Sequence, residues 1–340
     1  MKIGIVTPAP ARSRYGNRVT AQRWARILSS LGHRVSINQT YNGEQIDLLI
    51  ALHARRSFTS IERFHRERPD SPIIVALTGT DLYRDLNVSR RAQRSLDLAS
   101  LIVVLQPAAV DELPPSWREK ARVIYQSVGA RATPSRSRRT FNACVIGHLR
   151  PVKDPLRAAM AARRLAASSR VRVLQVGGAM TAQSAARARE EERINPRYRW
   201  LGELPPSRVR RVLAESRVFV LSSRMEGGAN ALGEAIVAGL PVLASRIPGS
   251  VGLLGENYPG YFESGDTRRL AELLTQAETD PAFLDLLKES CRKLAPLFEP
   301  AREAAAWAKL IAEVFDSHSD LQKKDNVAGA GADESSTRLN

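Results

Sequence analysis

Short apolar runs alternate with helix-like segments along most of this chain, and that alternation restricts the possible folds more than any other feature. The run Ile3–Val6 precedes a segment, Arg18–Leu31, whose apolar residues recur mostly at helical spacing until Gly32. Polar stretches with helical character follow the further apolar runs at Asp47–Leu52 and Pro72–Leu77. Strands that alternate with helices favour a parallel sheet covered by helices on both faces, so the sequence predicts an α/β fold.

The alternation is interrupted once, which indicates two domains in tandem. Residues 129–139 are rich in small, basic and proline residues, as in an interdomain linker, and the alternation restarts after them. The predicted organisation is a first domain at 1–128, a linker at 129–139, a second domain at 140–295, a last helical segment at 296–316 and a disordered tail at 317–340.

Cysteine content and hydropathy bear on where the protein works. The two cysteines, Cys144 and Cys291, are too few for a disulfide framework, which favours a reducing compartment. No apolar run approaches the ~20 residues that a membrane span needs. Met1 leads directly into the first predicted strand and not into a signal peptide. We therefore expect a soluble cytoplasmic protein without stable membrane association.

Positive charge is concentrated in the first part of the chain. Residues 1–139 hold 23 Lys and Arg against 11 Asp and Glu, a net charge of +12 out of +16 for all 340 residues. Such an excess attracts anions, whether nucleic acid, phospholipid or a small phosphorylated substrate. Nucleic acid is disfavoured because aromatic residues make up only 6% of the chain and no zinc-ligand spacing occurs.

Three predicted strand ends in the first domain each carry arginine. In an open parallel sheet, ligands bind beyond the carboxyl ends of the strands. The candidate acceptor-binding residues in these loops are Arg14, Gly16, Asn17, Arg18, Arg55, Arg56, Thr80 and Arg84. Arginines in loops can also be merely solvated, but three such loops at one edge favour a pocket for an anionic acceptor.

A first loop of the second domain has the composition of a diphosphate site. Gly147, His148, Arg150 and Lys153 follow a predicted strand and are expected to open a helix. Backbone amides at such a turn, together with two basic side chains, suit a diphosphate at a helix N-terminus. Basic residues are common in strand–helix loops, so this motif alone is weak.

A second loop, Glu226–Glu234, gives a stronger signal. Gly227 and Gly228 would let the backbone approach a ligand closely, and Ala229 and Asn230 would begin a helix whose amides face phosphate oxygens. The last residue of the loop, Glu234, would then reach vicinal hydroxyls, to which a carboxylate makes charge-assisted hydrogen bonds. The alternative is that both glutamates are ordinary carboxylates favoured at a helix start.

Several motifs together resemble a known family. Glu226 and Glu234 form an E-x7-E signature, and a G-x-L-x-x-x-K segment at 147–153 and the sequence LGHRV at 31–35 precede it. The chain thereby resembles, from residue 1 to about 316, the retaining nucleotide-sugar glycosyltransferases of family 4. The resemblance implies the GT-B fold, in which two doubly wound Rossmann-like domains face each other across a cleft.

The resemblance also implies how the domains divide the work. The second domain would hold the nucleotide-sugar donor and the first the acceptor, and 296–316 would cross back to the first domain. The sequence departs from the family at two places: His148 stands where Arg is usual, and Thr78 where His is frequent. His53 on a neighbouring loop is then the nearest candidate to activate the acceptor, and the catalytic candidates are Glu226, His53 and Asp81.

A narrower resemblance concerns the acceptor. The segments Thr7–Ala21, Ala51–Ser57, Leu77–Asp85 and Gly147–Arg150 are similar to those of the selenosugar synthases of selenoneine biosynthesis. This likeness implies UDP-N-acetylglucosamine or UDP-glucose as donor and selenophosphate as acceptor, joined through a carbon–selenium bond. Arginine-rich loops suit such a small, highly charged acceptor.

Other functions remain possible on the residues alone. One is a glycosyltransferase that acts on a membrane lipid or a small-molecule glycoside, and another is a non-catalytic binder of sugar nucleotides or nucleic acid. No D-x-D pair and no His/Cys cluster with ligand spacing occurs in the chain. We therefore expect no metal and no cofactor besides the UDP-sugar co-substrate. The sequence indicates no particular oligomeric state.

Overall fold

The computed structural model describes residues 1–129 and 139–333, with the backbone alone from 317 onward. The predicted linker at 129–139 lies almost entirely outside the described residues. The chain divides into two compact units. The first comprises residues 1–104, 110–124 and the segment from Glu303 onward, and the second comprises 105–109 and 125–302.

A parallel sheet of six strands forms the centre of the first unit, in the order β2-β1-β3-β4-β5-β6. Its strands are β1 (Lys2–Val6), β2 (Arg34–Asn38), β3 (Leu48–Leu52), β4 (Ile73–Ala76), β5 (Leu101–Val104) and β6 (Ala121–Val123). The helices of this part of the chain are α1 (Gly16–Ser30), α2 (Phe58–Glu67), α3 (Arg90–Asp97), α4 (Ala108–Asp111) and α5 (Pro115–Arg118), and a π-helical turn spans Asp81–Asp85. All five residues of β3 are buried, as expected for a central parallel strand.

The second unit has its own parallel sheet, in the order β12-β11-β10-β7-β8-β9. Its strands are β7 (Phe141–Ile146), β8 (Val171–Val176), β9 (Tyr198–Trp200), β10 (Val218–Leu221), β11 (Val242–Ser245) and β12 (Tyr261–Phe262). The helices are α6 (Arg157–Ala162), α7 (Ala182–Ile194), α8 (Pro206–Glu215), α9 (Asn230–Val237), α10 (Pro248–Leu254), α11 (Thr267–Thr279) and α12 (Pro281–Leu294). Short 3₁₀ helices span Pro151–Lys153 and Ala295–Phe298.

These two sheets confirm the predicted α/β class with doubly wound units. The strands and α-helices that the sequence pattern did not reveal are small: β6 has three residues, β12 has two, α4 and α5 have four each, and α10 has seven. Periodicity is undetectable over so few residues, because a strand or helix needs several repeats to show its pattern.

The last helix, α13 (Pro300–Asp333), is longer than expected. It continues through 317–333, where the sequence predicts disorder, whereas 334–340 lie outside the described residues. The segment 317–333 contains no proline and several good helix formers, so its low apolar content disfavours a core but does not disfavour a helix. Within the described part of the chain, no helix combines the length and the apolar character needed to cross a membrane.

Candidate active site

Strand pairing in the second unit brings the two predicted donor loops together. β10 pairs in parallel with β7, with Phe219 opposite Cys144, so both strands end at the same edge of the sheet. The loop 147–156 leaves that edge from β7, and the loop 222–229 leaves it from β10. We call these the donor loops.

An ion pair joins the donor loops. Lys153 Nζ lies 2.5 Å from Oε1 and 2.7 Å from Oε2 of Glu226. The Glu226 carboxylate is nearly buried, and it also accepts a hydrogen bond from Ser223 Oγ at 2.5 Å. The structure thus places the predicted diphosphate-binding lysine directly on the predicted catalytic glutamate. Sequence reasoning missed Ser223, which lies three residues before the Glu226–Glu234 motif and outside it.

Hydrogen bonds to the backbone hold the donor loops in register. Ser222 Oγ donates to Asp154 O at 2.9 Å, and the Arg224 amide donates to Val152 O at 2.8 Å. Arg157 fixes the Asp154 side chain through two nitrogens, at 2.9 and 3.0 Å from Oδ2. Lys153 therefore lies on a loop whose backbone is held to the second donor loop by hydrogen bonds.

The expected helix at the first donor loop begins later than predicted. Pro151–Lys153 form a single 3₁₀ turn, Asp154 has a left-handed φ of 41°, and α6 begins only at Arg157. Proline disfavours the α conformation of the residue before it, and Pro155 follows Asp154 directly. Lys153 consequently reaches the site from a loop, so the predicted α-helix start at this point is wrong, whereas diphosphate binding by Arg150 and Lys153 stays a prediction.

Gly147 and His148 lie where the ends of β7 and β8 approach each other. The Gly178 amide donates to His148 Nδ1 at 3.2 Å, and Gln175 Nε2 donates to Gly147 O at 3.0 Å. Gly177 has a φ of 144°, and a Cβ there would lie 2.0 Å from Gly147 O. Only glycine fits at that crossing. His148 therefore accepts a hydrogen bond at Nδ1 from the end of β8.

Arg150 contributes a second cation to the first donor loop. It precedes the 3₁₀ turn in an extended conformation and is partly exposed. Among the described residues, its guanidinium has no hydrogen-bond or ion-pair partner. A guanidinium in this state is available to grip an anion through two parallel hydrogen bonds.

The second donor loop ends in α9, as predicted. Ala229 is its N-cap and Asn230 its first residue, and in the described chain no side chain caps this helix start. Uncapped N–H groups at the start of an eight-residue helix suit an anion. Glu234 lies on the second turn and is partly exposed.

Gly228 has a packing role that the sequence does not reveal. A Cβ at this position would lie 2.5 Å from the Leu105 side chain. The glycine is therefore required by the segment 105–109, which groups with the second unit, whether or not a ligand approaches. The close neighbour that the structure shows for Gly228 is thus a leucine, and the approach of a ligand to Gly227 and Gly228 stays a prediction.

In the first unit, the arginine-bearing loops also share one edge. β1 pairs with β3 and β3 with β4, all in parallel, so their carboxyl ends are adjacent. Arg14 precedes α1, and Gly16, Asn17 and Arg18 form its first turn. Arg18 Nε is buried and has no hydrogen-bond partner among the described residues.

Asp85, which sequence reasoning missed, contacts arginines from both of the other loops, those after β3 and β4. Arg55 Nε lies 3.0 Å from Oδ2 of Asp85, and Arg84 Nε lies 3.1 Å from Oδ1. His53 Nε2 lies 3.2 Å from Thr80 Oγ1 and 3.9 Å from Asp85 Oδ2. We call His53, Arg55, Thr80, Arg84 and Asp85 the Asp85 cluster. Both arginine side chains are about half exposed, so a nearly buried carboxylate holds two guanidinium groups that still face solvent.

His53 and Asp81, both predicted to be catalytic, are buried. Asp81 is fully buried, and its carboxylate accepts the backbone amides of Ala54, Thr78 and Gly79 at 2.9–3.2 Å. Asp81 thus ties the β3 and β4 loops together, which is a positioning role. His53 is only 2% exposed and has a left-handed φ of 73°, and its Nδ1 accepts from the Arg56 amide at 3.4 Å.

Burial lowers the pKa of His53. Nearby Asp81 and Asp85 act in the opposite direction, and Arg56 and Arg55 add to the lowering. The folded state therefore binds a proton less readily than the unfolded chain, whose histidine pKa is about 6.5. Above this pH, His53 is neutral in both states and the free energy of unfolding is highest. As the pH falls further, the unfolded chain takes up the proton more readily and the folded state loses stability.

We expect the His53→Gln variant to unfold with a weaker pH dependence than the wild type at pH values below about 6.5, the histidine pKa of the unfolded chain. Urea unfolding at several pH values measures the slope. The same substitution at His65, which is exposed on α2, serves as the matched control. An unchanged slope in His53→Gln would show that His53 does not titrate with unfolding.

The comparisons with known proteins concern both the sequence and the fold. Residues 134–295 match the family model described as glycosyl transferases group 1, and this segment contains both donor loops. Anabaena HepE in complex with UDP and glucose has a TM-score of 0.71 and 15% identity over 92% of this chain and 100% of that chain. The fold is GT-B. Sucrose-phosphate synthase from Thermosynechococcus elongatus has a TM-score of 0.73 and 16% identity over 93% and 99%.

A second HepE structure, the complex with UDP-glucose, has the same GT-B fold with a TM-score of 0.72 and 14% identity over 92% of this chain and 100% of that chain. Identities this low show the fold, and the family-model match shows that residues 134–295 are similar to group 1 glycosyl transferases. Across the described residues, no three His, Cys, Asp or Glu side chains are grouped to hold a metal ion.

Proposed function

We propose that this protein transfers a sugar from UDP-N-acetylglucosamine or UDP-glucose to selenophosphate and so forms a selenosugar of selenoneine biosynthesis. The observation that carries the donor half is the Lys153–Glu226 pair at the edge of the second sheet. The acceptor half depends on the arginines around Asp85. HepE, which shares the fold, binds UDP and UDP-glucose.

The donor loops offer a polar group of suitable charge for each part of a UDP-sugar. Lys153 and Arg150 would meet the diphosphate together with the uncapped amides of α9. Glu234 would bond the ribose hydroxyls, and Glu226 the transferred sugar. Lys153, Arg150 and the α9 amides would stabilise the negative charge that develops on UDP as it leaves, so we propose that the reaction needs no metal.

The Asp85 cluster would bind the acceptor. Asp85 orients Arg55 and Arg84 by their Nε atoms, which leaves their terminal nitrogens for a phosphate-like group. In the transfer, selenium attacks the anomeric carbon and forms the C–Se bond. The bond from that carbon to the β-phosphate oxygen breaks, and UDP leaves with the electron pair. His53 and Thr80 would position the acceptor loops around this pair of arginines.

The decisive experiment incubates the protein with selenophosphate and each UDP-sugar, and detects a selenium-bearing sugar and UDP by mass spectrometry. We expect one of the two donors to give both products, with or without EDTA. The Lys153→Ala variant should give neither at comparable enzyme concentration. UDP release without a selenium product, or dependence on an added metal ion, would contradict the proposal.

One observation favours a second candidate, a lipid acceptor. Val88 is 81% exposed in the loop between Arg84 and Arg90, and α3 begins with two arginines. An exposed apolar side chain among arginines suits an anionic membrane surface. Transfer to a lipid extract in place of selenophosphate would establish this alternative.

We expect Arg55→Lys to raise the acceptor KM by about tenfold, the size of one lost hydrogen bond to a charged group. Lysine keeps the charge, but it lacks the planar guanidinium that can donate to Asp85 through Nε and to an anion through its terminal nitrogens. UDP affinity should not change, and inorganic phosphate should compete with the acceptor. Arg66→Lys, at an exposed arginine on α2, is the matched control. An equal acceptor KM in Arg55→Lys and Arg66→Lys would remove Arg55 from the acceptor site.

A further inference from the structure

Three buried serines form a connected support beneath Glu226. Ser223 Oγ donates to Glu226 Oε1 at 2.5 Å, Ser245 Oγ donates to Ser223 O at 2.5 Å, and Ser250 Oγ donates to Ser245 O at 2.5 Å. All three serines are at most 2% exposed. The series links the carboxylate of Glu226 to the end of β11 and to α10.

The main chain around this support is also tightly packed. A Cβ at Gly249 on α10 would lie 2.0 Å from Glu226 O, so the helix rests directly on the backbone of the glutamate. The Ser245 hydroxyl at the end of β11 thus contacts the backbone of Ser223, and α10 contacts the backbone of Glu226. These are the two residues that the hydrogen bond from Ser223 Oγ to Glu226 Oε1 joins.

Lys153 and Ser223 hold Glu226 under different conditions. Lys153 contacts both carboxylate oxygens, but the proposed function requires its ammonium group to contact the diphosphate of the donor. When Lys153 turns to the diphosphate, Glu226 loses this ion pair in a nearly buried position. A buried carboxylate without partners is costly, so the remaining bond from Ser223 then decides where the carboxylate lies.

We propose that Ser223 is a positioning residue that holds the Glu226 carboxylate in place while Lys153 exchanges Glu226 for the donor diphosphate. This inference rests on the proposed function of the donor loops. It makes Ser223 a residue that acts through Glu226 and touches no substrate. Its contribution must therefore vanish when Glu226 no longer carries a charge.

The test is a double-mutant cycle on UDP affinity, measured by calorimetry. We expect Ser223→Ala to weaken UDP binding by up to about tenfold, the size of one hydrogen bond to a charged group, because Lys153 then leaves a less stable carboxylate behind. In the Glu226→Gln background, the same Ser223→Ala change should leave UDP affinity unaltered. Ser223→Thr keeps the hydroxyl and should restore the wild-type value, and Ser223→Cys should be intermediate. Ser216→Ala, which removes an equally buried hydroxyl at the end of α8, is the matched control.

The outcomes separate this inference from the function on which it rests. If the wild type binds no UDP, the proposed donor site fails. If the wild type binds UDP but Ser223→Ala weakens it equally in both backgrounds, Ser223 supports the fold alone and the inference is overturned. Equal losses in Ser223→Ala and Ser223→Thr would overturn it as well, because the hydroxyl would then be irrelevant. Should Ser223→Ala fail to fold, the threonine and cysteine variants carry the same comparison.

Discussion

The Glu226→Gln variant is expected to lose sugar transfer and yet bind UDP more tightly than the wild type. Without a donor, Lys153 Nζ is held by both oxygens of Glu226, so the diphosphate must compete with the carboxylate for the lysine. A neutral glutamine competes far less, and Lys153 becomes available to UDP. The transferred sugar meanwhile loses a charged partner, for which we expect a fall in kcat of about 10²–10³.

Calorimetry with UDP and steady-state kinetics with the UDP-sugar measure the two effects separately. Lys153→Ala should weaken UDP binding both alone and in combination with Glu226→Gln, since the cation itself is then missing. Glu278→Gln is the matched control, because Glu278 is a buried carboxylate on α11 that pairs with Arg170 outside the donor loops. If Glu226→Gln weakens UDP binding or leaves it unaltered, the ion pair does not compete with the diphosphate.

The sequence predicted the donor loops but not the contact between them. Periodicity locates Lys153 and Glu226 after two strands, but it does not reveal which strands are neighbours. That β10 lies beside β7 follows from the strand order of the sheet, which only the folded chain displays. Because β7 and β10 are adjacent, Lys153 and Glu226 lie close enough at the sheet edge to form an ion pair.

The burial of side chains in the loops of the first unit is a property that the sequence pattern does not reveal. A histidine and an aspartate at strand ends have the chemistry of catalytic groups, so His53 and Asp81 were reasonable candidates. The folded chain instead covers Asp81 completely and directs three backbone amides at it. Asp85, which organises Arg55 and Arg84, lies in the same stretch but carries no motif that singles it out. The late start of α6, in contrast, is predictable from the sequence, because Pro155 disfavours a helical conformation at Asp154.

The last helix packs into the first unit through a pair of tryptophans. Trp24 on α1 and Trp307 on α13 are both fully buried, with ring centroids 4.8 Å apart in an edge-to-face arrangement. Trp24 Nε1 donates to Glu303 Oε1 at 2.9 Å, and Arg23 Nε lies 3.5 Å from Glu303 Oε2. Trp307 Nε1, in contrast, has no hydrogen-bond partner among the described residues. Trp24 thus combines ring burial with a hydrogen bond, whereas Trp307 contributes through the burial of its ring.

Trp307→Ala is expected to destabilise the first unit by about 3–5 kcal/mol, the usual cost of removing a buried tryptophan. Trp307→Phe should cost much less, because it keeps most of the buried ring and the indole N–H that it removes makes no bond within the described chain. Trp24→Phe should fall between them, since it removes the indole N–H that donates to Glu303 Oε1, at a cost of about 1–3 kcal/mol. Because a chain of two units need not unfold in one step, hydrogen exchange of the β1 and α1 amides is the measurement that reports on this unit. If the β1 and α1 amides of Trp307→Ala are as well protected from hydrogen exchange as those of the wild type, α13 does not stabilise the first unit. A larger loss in Trp307→Phe than in Trp24→Phe would show that the N–H of Trp307, and not that of Trp24, makes the important bond.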